Sequence, residues 1–150
     1  MGVASKDVHV FTTQFFSKLE REGAEAVVSW TKRKSLDIFE KKFIFIPVNK
    51  DLHWSLFVVV NAGKVETAHR SDGEANVEHP FILFMDSLQA HKHKVLSTFI
   101  IGWLNSEAKR HRKFKLLGDK PFHVLNCPII SPEGKCLFFV YCNTSHLFDS

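Results

Sequence analysis

The chain has few residues of the kinds that form disulfide cross-links or interrupt helices and strands: among 150 residues there are three cysteines, seven glycines and five prolines. An odd number of cysteines without regular spacing argues against a disulfide framework and indicates a reducing compartment. No apolar run approaches the length of about eighteen residues that a membrane span needs, and residues 1–6 lack the apolar centre of a signal peptide. We therefore expect an intracellular protein, in the nucleus or the cytoplasm, without a membrane partner.

Motifs for phosphate or metal cofactors are also missing from the sequence. There is no glycine-rich phosphate loop and no internal repeat. His91 and His93 are the best candidates for metal ligands, but residues two apart at a helix start point in different directions. No cluster of carboxylates or thiols accompanies them in the sequence. The prediction is a protein with no metal site and no cofactor.

What the chain does contain is apolar residues, which make up 45% of the sequence and include fifteen phenylalanines. This is enough for one sizeable hydrophobic core and too little for two ordinary domains. We predict a single domain over residues 1–150. Its core should bury together the side chains of Phe43, Phe45, Phe57, Val59, Leu83 and Trp103.

The net charge of +4 is concentrated in one basic cluster, Lys109-Arg110-His111-Arg112-Lys113, which Lys115 extends. Such a cluster can bind nucleic acid or direct a protein to the nucleus, and it can also steer an acidic protein partner. Cations are equally typical of a solvated helix end, where they meet the negative pole of the helix dipole. We favour the helix end, so nucleic acid is not the expected partner.

Hydrophobic periodicity predicts two helices before the apolar strands in the sequence and one after them. Residues 7–21 carry apolar side chains at helical spacing, and Gly23 is suited to end that helix. A second short helix is predicted over residues 24–31. A third is indicated by the apolar stripe of Val95, Leu96, Phe99, Ile100, Trp103 and Leu104, which should pack on a sheet.

Three apolar runs of strand length predict the sheet itself. Residues 43–48 and 56–61 are too continuously apolar for a one-sided sheet, so we expect them to be central and neighbouring strands. Residues 81–85 form the third strand. The polar stretch between them, residues 62–80, is predicted to be an exposed loop.

His53 and Asp86 lie at the ends of two of these strands and form the candidate catalytic pair. A carboxylate beside a histidine can hold the imidazole in one tautomer, so that the other ring nitrogen acts as a general base. We predict that the two strands are neighbours and that the side chains lie within hydrogen-bond reach, about 2.6–3.2 Å. A structural His–Asp hydrogen bond, or two unrelated surface residues, would account for the same pattern.

The residues around this pair match those of a known family. The run Phe43-Ile44-Phe45-Ile46-Pro47-Val48-Asn49, then His53-Trp54-Ser55-Leu56, then Asp86-Ser87-Leu88, resembles the Ulp or sentrin-specific cysteine proteases, with its closest likeness to the Ulp2-like branch. The resemblance implies an α+β fold of the papain-like cysteine peptidase type, with a central mixed sheet flanked by helices. It also implies a partner, SUMO or another ubiquitin-like protein and its conjugates.

The same resemblance assigns further roles. Trp54 would help roof the tunnel that admits the Gly-Gly tail of the modifier, although a tryptophan here could also belong to the core. Cys136 would be the nucleophile, because it alone stands at the family's spacing from Asp86, whereas Cys127 and Cys142 do not. A buried, inert core thiol remains the alternative for Cys136, since it opens a strongly apolar segment.

Around Cys136 the sequence departs from the family pattern. Ile130 stands where the family has a glutamine that polarises the oxyanion, Lys135 where it has aspartate, and Leu137 where it has glycine. Loss of one oxyanion donor typically lowers turnover by about 10²–10³. The chain also looks incomplete relative to the family domain at both ends. These departures predict a poor or inactive peptidase, and they leave open a non-catalytic module that binds ubiquitin-like modifiers or an inactive fragment.

Overall fold

A mixed β-sheet with helices packed on one face is the framework of the molecule. The computed structural model describes residues 4–64, 79–111 and 122–127. The strands are β1 (Val8–Val10), β2 (Phe43–Lys50), β3 (His53–Val60), β4 (Phe81–Met85) and β5 (His123–Cys127), and the α-helices are α1 (Thr13–Glu22), α2 (Ala24–Lys32) and α3 (His93–Arg110). This arrangement confirms the predicted α+β class.

The strands lie in the order β1-β2-β3-β4-β5, so chain order and sheet order coincide. The two outer pairs are parallel, and β3 is antiparallel to both of its neighbours. The prediction that residues 43–48 and 56–61 lie in neighbouring central strands is confirmed, although the second strand begins earlier, at His53, and ends at Val60. The prediction that the strand after His53 lies beside the strand before Asp86 is also confirmed.

The helix predicted over residues 7–21 is wrong in its first part. Residues 8–10 form β1, which pairs in parallel with Phe43, Ile44 and Phe45, and the helix begins at Thr13. Two of the three residues of β1 are valines, whose branched side chains suit a strand. Pairing with β2 outweighs the weak helical periodicity. Gly23 does end the helix as predicted: its φ is 86° and its N–H donates to the Leu19 carbonyl.

A two-residue turn joins β2 to β3. Asp51 and Leu52 both have positive φ, 53° and 60°, and the register pairs Lys50 directly with His53. Positive φ at both central positions is the signature of a type I′ turn, whose twist matches that of the flanking strands. The turn thus fixes where His53 enters the sheet.

The sheet has two apolar faces, because successive side chains of a strand point to opposite sides. One face packs against the helices in the main core, which contains Phe15, Phe16, Ile44, Ile46, Phe57, Val59, Ile82, Phe84, Ile100 and Trp103. The other face carries a separate cluster of Val58, Val60 and Leu83, against which Phe43 and Phe45 are partly buried. The predicted single core was therefore wrong for Phe43, Phe45 and Leu83, which lie on the opposite face from Phe57, Val59 and Trp103.

Helix α3 covers the main-core face much as the apolar stripe predicted. Leu96, Ile100, Trp103 and Leu104 are buried, but Val95 is 53% exposed and does not belong to the core. No helix in the described part of the chain is both long and apolar enough to cross a membrane.

The predicted loop and the basic cluster are each described only in part. Ala62 and Pro80 are buried, so the loop is anchored at both ends, and residues 65–78 lie outside the described residues. Lys109 and Arg110 occupy the last turn of α3, as a helix-end cluster should, and Arg110 forms an ion pair of 2.6 Å with the buried Glu107. Residues 112–115 of the cluster are not described.

Candidate active site

His53 and Asp86 meet at one end of the sheet. His53 is the first residue of β3, directly after the hairpin turn, and Asp86 follows the last residue of the adjacent β4. The distance from His53 Nε2 to Asp86 Oδ1 is 2.5 Å. The predicted hydrogen-bond contact between these side chains is confirmed, and the alternative of two unrelated surface residues is wrong.

The Asp86 carboxylate is almost completely enclosed, with 2% of its surface exposed. Besides the contact with His53, its oxygens accept hydrogen bonds from the backbone N–H of His91 at 2.8 Å and of Leu88 at 3.1 Å. Burial by itself raises the pKa of Asp86, but the hydrogen bonds from His91, His53 and Leu88 more than offset it, so the pKa lies below its usual value. Asp86 is therefore ionised at neutral pH.

An ionised carboxylate determines the tautomer of His53. Because it can only accept, His53 Nε2 carries the hydrogen that is donated to Asp86. In the neutral ring Nδ1 then has the free lone pair and is the nitrogen that can take a proton from another group. This is the role of the base in a histidine–carboxylate pair.

Trp54 follows His53 in the chain, and its side chain is largely exposed to solvent. Its side chain is 58% exposed, and in the sheet it lies opposite Asn49. The alternative of an ordinary core tryptophan is therefore wrong. The exposed indole, which follows His53 in the chain, is available for contact with a bound chain, while its role in a tunnel remains a prediction.

His91 also belongs to this site, which the sequence did not predict. Its ring packs against the ring of His53, with centroids 4.8 Å apart, and its backbone N–H binds Asp86. The sequence analysis found no cluster of carboxylates or thiols around His91 and His93, and the structure brings one carboxylate, that of Asp86, to His91. The loop between Asp86 and α3 folds back on itself, and the only sequence signal was the short spacing between the two residues.

His53, Asp86 and His91 each offer a potential metal-ligand atom, and these atoms lie within 4.8 Å of one another. However, Nδ1 of His91 contacts the Ser55 hydroxyl and Nε2 contacts the Lys50 carbonyl. The oxygens of Asp86 already accept three hydrogen bonds. A metal ion would have to displace these partners, so the geometry favours a hydrogen-bond network over a metal centre.

The predicted nucleophile Cys136 lies outside the described residues, as do Cys142 and the substituted positions Ile130, Lys135 and Leu137. The backbone of Cys127 is described: it ends β5 and pairs with Met85, the residue before Asp86. The carboxyl ends of these parallel strands meet at the same edge of the sheet. The segment after Cys127, which contains Cys136, therefore starts at the edge of the sheet where Asp86 lies.

Solved structures with a similar fold are SUMO proteases. The crystal structure of the de-sumoylating protease aligns with a TM-score of 0.67 at 22% identity, over 94% of this chain and 51% of that one. The C-terminal Ulp1 protease domain in complex with Smt3, the yeast orthologue of SUMO, aligns with a TM-score of 0.59 at 23% identity, over 92% of this chain and 55% of that one. At these identities the likeness establishes the fold.

Sequence comparison identifies curated relatives. Human sentrin-specific protease 3 is 39% identical over 148 residues, which cover 98% of this chain and 22% of that protein. The probable ubiquitin-like-specific protease 2B of Arabidopsis thaliana is 34% identical over 117 residues, covering 70% of this chain and 12% of that protein. The chain thus spans less than a quarter of the length of these relatives. Residues 3–147 match the Ulp1 protease family, C-terminal catalytic domain, and the chain therefore belongs to the Ulp1 protease family.

Proposed function

We propose that this chain carries the catalytic residues of a cysteine peptidase that cleaves ubiquitin-like proteins, SUMO first among them, from their conjugates. The observation that supports this most directly is the contact between His53 Nε2 and the buried, ionised Asp86. Membership of the Ulp1 protease family supports the same reaction. Residues 1–150 would form one domain, or part of one, and act in the nucleus or the cytoplasm.

In the proposed reaction Cys136 is the nucleophile. His53 Nδ1 removes the thiol proton, and the sulfur attacks the carbonyl carbon of the modifier's terminal glycine. The imidazolium, stabilised by Asp86, then protonates the leaving amine, and water hydrolyses the thioester. Trp54 would contact the extended glycine tail.

The second candidate is a module that binds the modifier without cleaving it. It is favoured by Ile130, which has no hydrogen-bond donor for the oxyanion, and by Leu137, which would hinder close approach of the backbone to the substrate. Under the peptidase proposal the same substitutions lower the rate, by about 10²–10³ for one missing donor.

An electrophilic probe separates the two candidates. The chain would be incubated with SUMO that carries a vinyl sulfone at its C-terminus, and any adduct located by peptide mass spectrometry. The peptidase proposal predicts an adduct on Cys136 that is absent in Cys136→Ala and strongly reduced in His53→Ala. Cys127→Ala is the matched control and should react like the unchanged chain.

Binding of the probe without adduct would support the second candidate. An adduct on Cys127 that persists in Cys136→Ala would contradict the assignment of the nucleophile. Absence of both binding and adduct would contradict both candidates. Because the probe needs only one attack by sulfur, it detects a slow enzyme that a turnover assay would miss.

A further inference from the structure

The side chain of His91 links the two segments that supply His53 and Asp86. Its Nε2 lies 2.9 Å from the carbonyl oxygen of Lys50, at the end of β2. Its Nδ1 lies 2.8 Å from the hydroxyl of Ser55, in β3. Its own backbone N–H donates to Asp86. One residue thus contacts both strands of the hairpin and the carboxylate.

These contacts specify the tautomer and leave no polar atom of the ring unpaired. A carbonyl can only accept, so Nε2 of His91 carries a hydrogen, and the neutral ring then accepts from Ser55 at Nδ1. His91 is 9% exposed, and a buried polar group without a partner destabilises a protein markedly. The ring is therefore held in one orientation by the bonds it makes.

The hairpin that His91 contacts contains a turn with an unfavourable backbone conformation. Asp51 and Leu52 both adopt positive φ although neither is glycine, and such backbone conformations persist where the surrounding structure enforces them. Lys50, whose carbonyl His91 binds, immediately precedes these two residues, and His53 immediately follows them. The edge contact between the His91 and His53 rings further limits the swing of the base.

We propose that His91 is a positioning residue that holds the hairpin of His53 against the loop of Asp86 and so keeps the two side chains within hydrogen-bond distance. The inference deepens the proposed function, and its kinetic consequence rests on that function. Its structural consequence does not, because the pair exists whether or not Cys136 reacts. Replacing His91 should loosen the hydrogen bond between His53 and Asp86.

Proton NMR of the whole chain tests the structural consequence. The hydrogen shared by His53 Nε2 and Asp86 should give a far-downfield imidazole signal, which His53→Ala would assign by its loss. We expect that signal to disappear through exchange with water in His91→Leu, while far-UV circular dichroism stays unchanged. His91→Gln can still donate to the Lys50 carbonyl from its amide, and should keep the signal.

Ser55→Ala provides a test that does not alter His91 itself. It removes the partner of Nδ1 with little change in volume, and should broaden the downfield signal, though less than His91→Leu does. An undisturbed signal in His91→Leu would overturn the proposal, as would equal loss in the Leu and Gln variants with the fold retained. Should His91→Leu unfold, the contrast between Ser55→Ala and His91→Gln still decides.

Kinetics with a SUMO conjugate adds the second measurement. If the peptidase proposal holds, His91→Leu should lower kcat by on the order of 10² with little change in KM, as misplacement by about 1 Å can, and His91→Gln should restore most of it. A change in KM alone would contradict a positioning role. Loss of the NMR signal in His91→Leu, in a chain that forms no adduct with the vinyl sulfone probe, would refute the proposed function and leave the role of His91 intact.

Discussion

At the scale of single residues, Asp86 is the buried charge of the candidate site. It is buried, accepts three hydrogen bonds, and has a pKa below its usual value. Asp86→Asn removes the charge and places an amide against N–H donors. Hydrogen bonds to charged groups contribute about 1.5–3 kcal/mol each, so we expect a loss of that order in the free energy of unfolding at pH 7.

The pH dependence of this loss has a definite sign. Because the folded-state pKa lies below that of the unfolded chain, the contribution of Asp86 is complete above the ordinary aspartate value of about 4 and is lost as the pH falls through the folded-state pKa. The difference between the two proteins in urea unfolding should therefore shrink between pH 7 and about pH 3. Asp51→Asn, at an exposed turn position, should show little difference at either pH. A loss at Asp86 that is the same at both would contradict a buried, ionised carboxylate.

Sequence reasoning reached His53 and Asp86 because each lies at one end of an apolar strand and because the residues beside them resemble the Ulp family, and both signals are local in the sequence. It missed His91 because the contacts of that ring depend on how the loop after β4 folds back. Lys50 and Ser55 are remote in sequence from His91 but near it in space. No periodicity encodes such a contact, and a histidine beside other polar residues resembles any surface histidine.

At the scale of elements, the β2–β3 turn is strained at Leu52. Its φ is 60° and its side chain is fully exposed, so the left-handed conformation has no compensating burial. That conformation costs an L-residue about 1–2 kcal/mol. Leu52→Gly should therefore stabilise the chain by up to about 1 kcal/mol, after the greater backbone entropy of unfolded glycine is subtracted.

Leu52→Val is the matched variant, since the side chain is equally free of contacts but branched at Cβ. It should destabilise by about 1 kcal/mol, because branched residues tolerate positive φ poorly. Thermal unfolding of the three proteins measures both effects. Equal melting temperatures would mean that the turn is not in the type I′ conformation in solution.

Elements with strong, long apolar patterns were the easiest to predict. β4 has the predicted bounds, and α3 buries most of its stripe. β1 was missed because it has three residues, and its identity depends on pairing with Phe43, Ile44 and Phe45. A strand this short is defined by its neighbour more than by its own composition.

At the scale of the whole molecule, the sheet separates two apolar clusters that a single-core model would merge. Periodicity within β2 shows that alternate residues face opposite sides, yet both sides are apolar, and the sequence alone does not say which side the helices cover. Phe57 lies on the helix-covered face and packs against the ring of Phe84, with the ring centroids 4.6 Å apart. Phe45 lies on the other face and is only partly buried.

The same substitution on the two faces measures this asymmetry. Phe57→Ala removes a fully buried ring from the main core and should lower the free energy of unfolding by about 3–5 kcal/mol. Phe45→Ala removes a half-covered ring, so less apolar surface is lost and less of a cavity is created, and we expect roughly half that effect or less. Denaturant unfolding of both variants gives the comparison. The dependence of the unfolding free energy on denaturant concentration must be the same for each variant as for the unchanged chain. Equal losses would mean that the second face is as fully covered in solution as the first, and a larger loss at Phe45 would reverse the assignment of the main core.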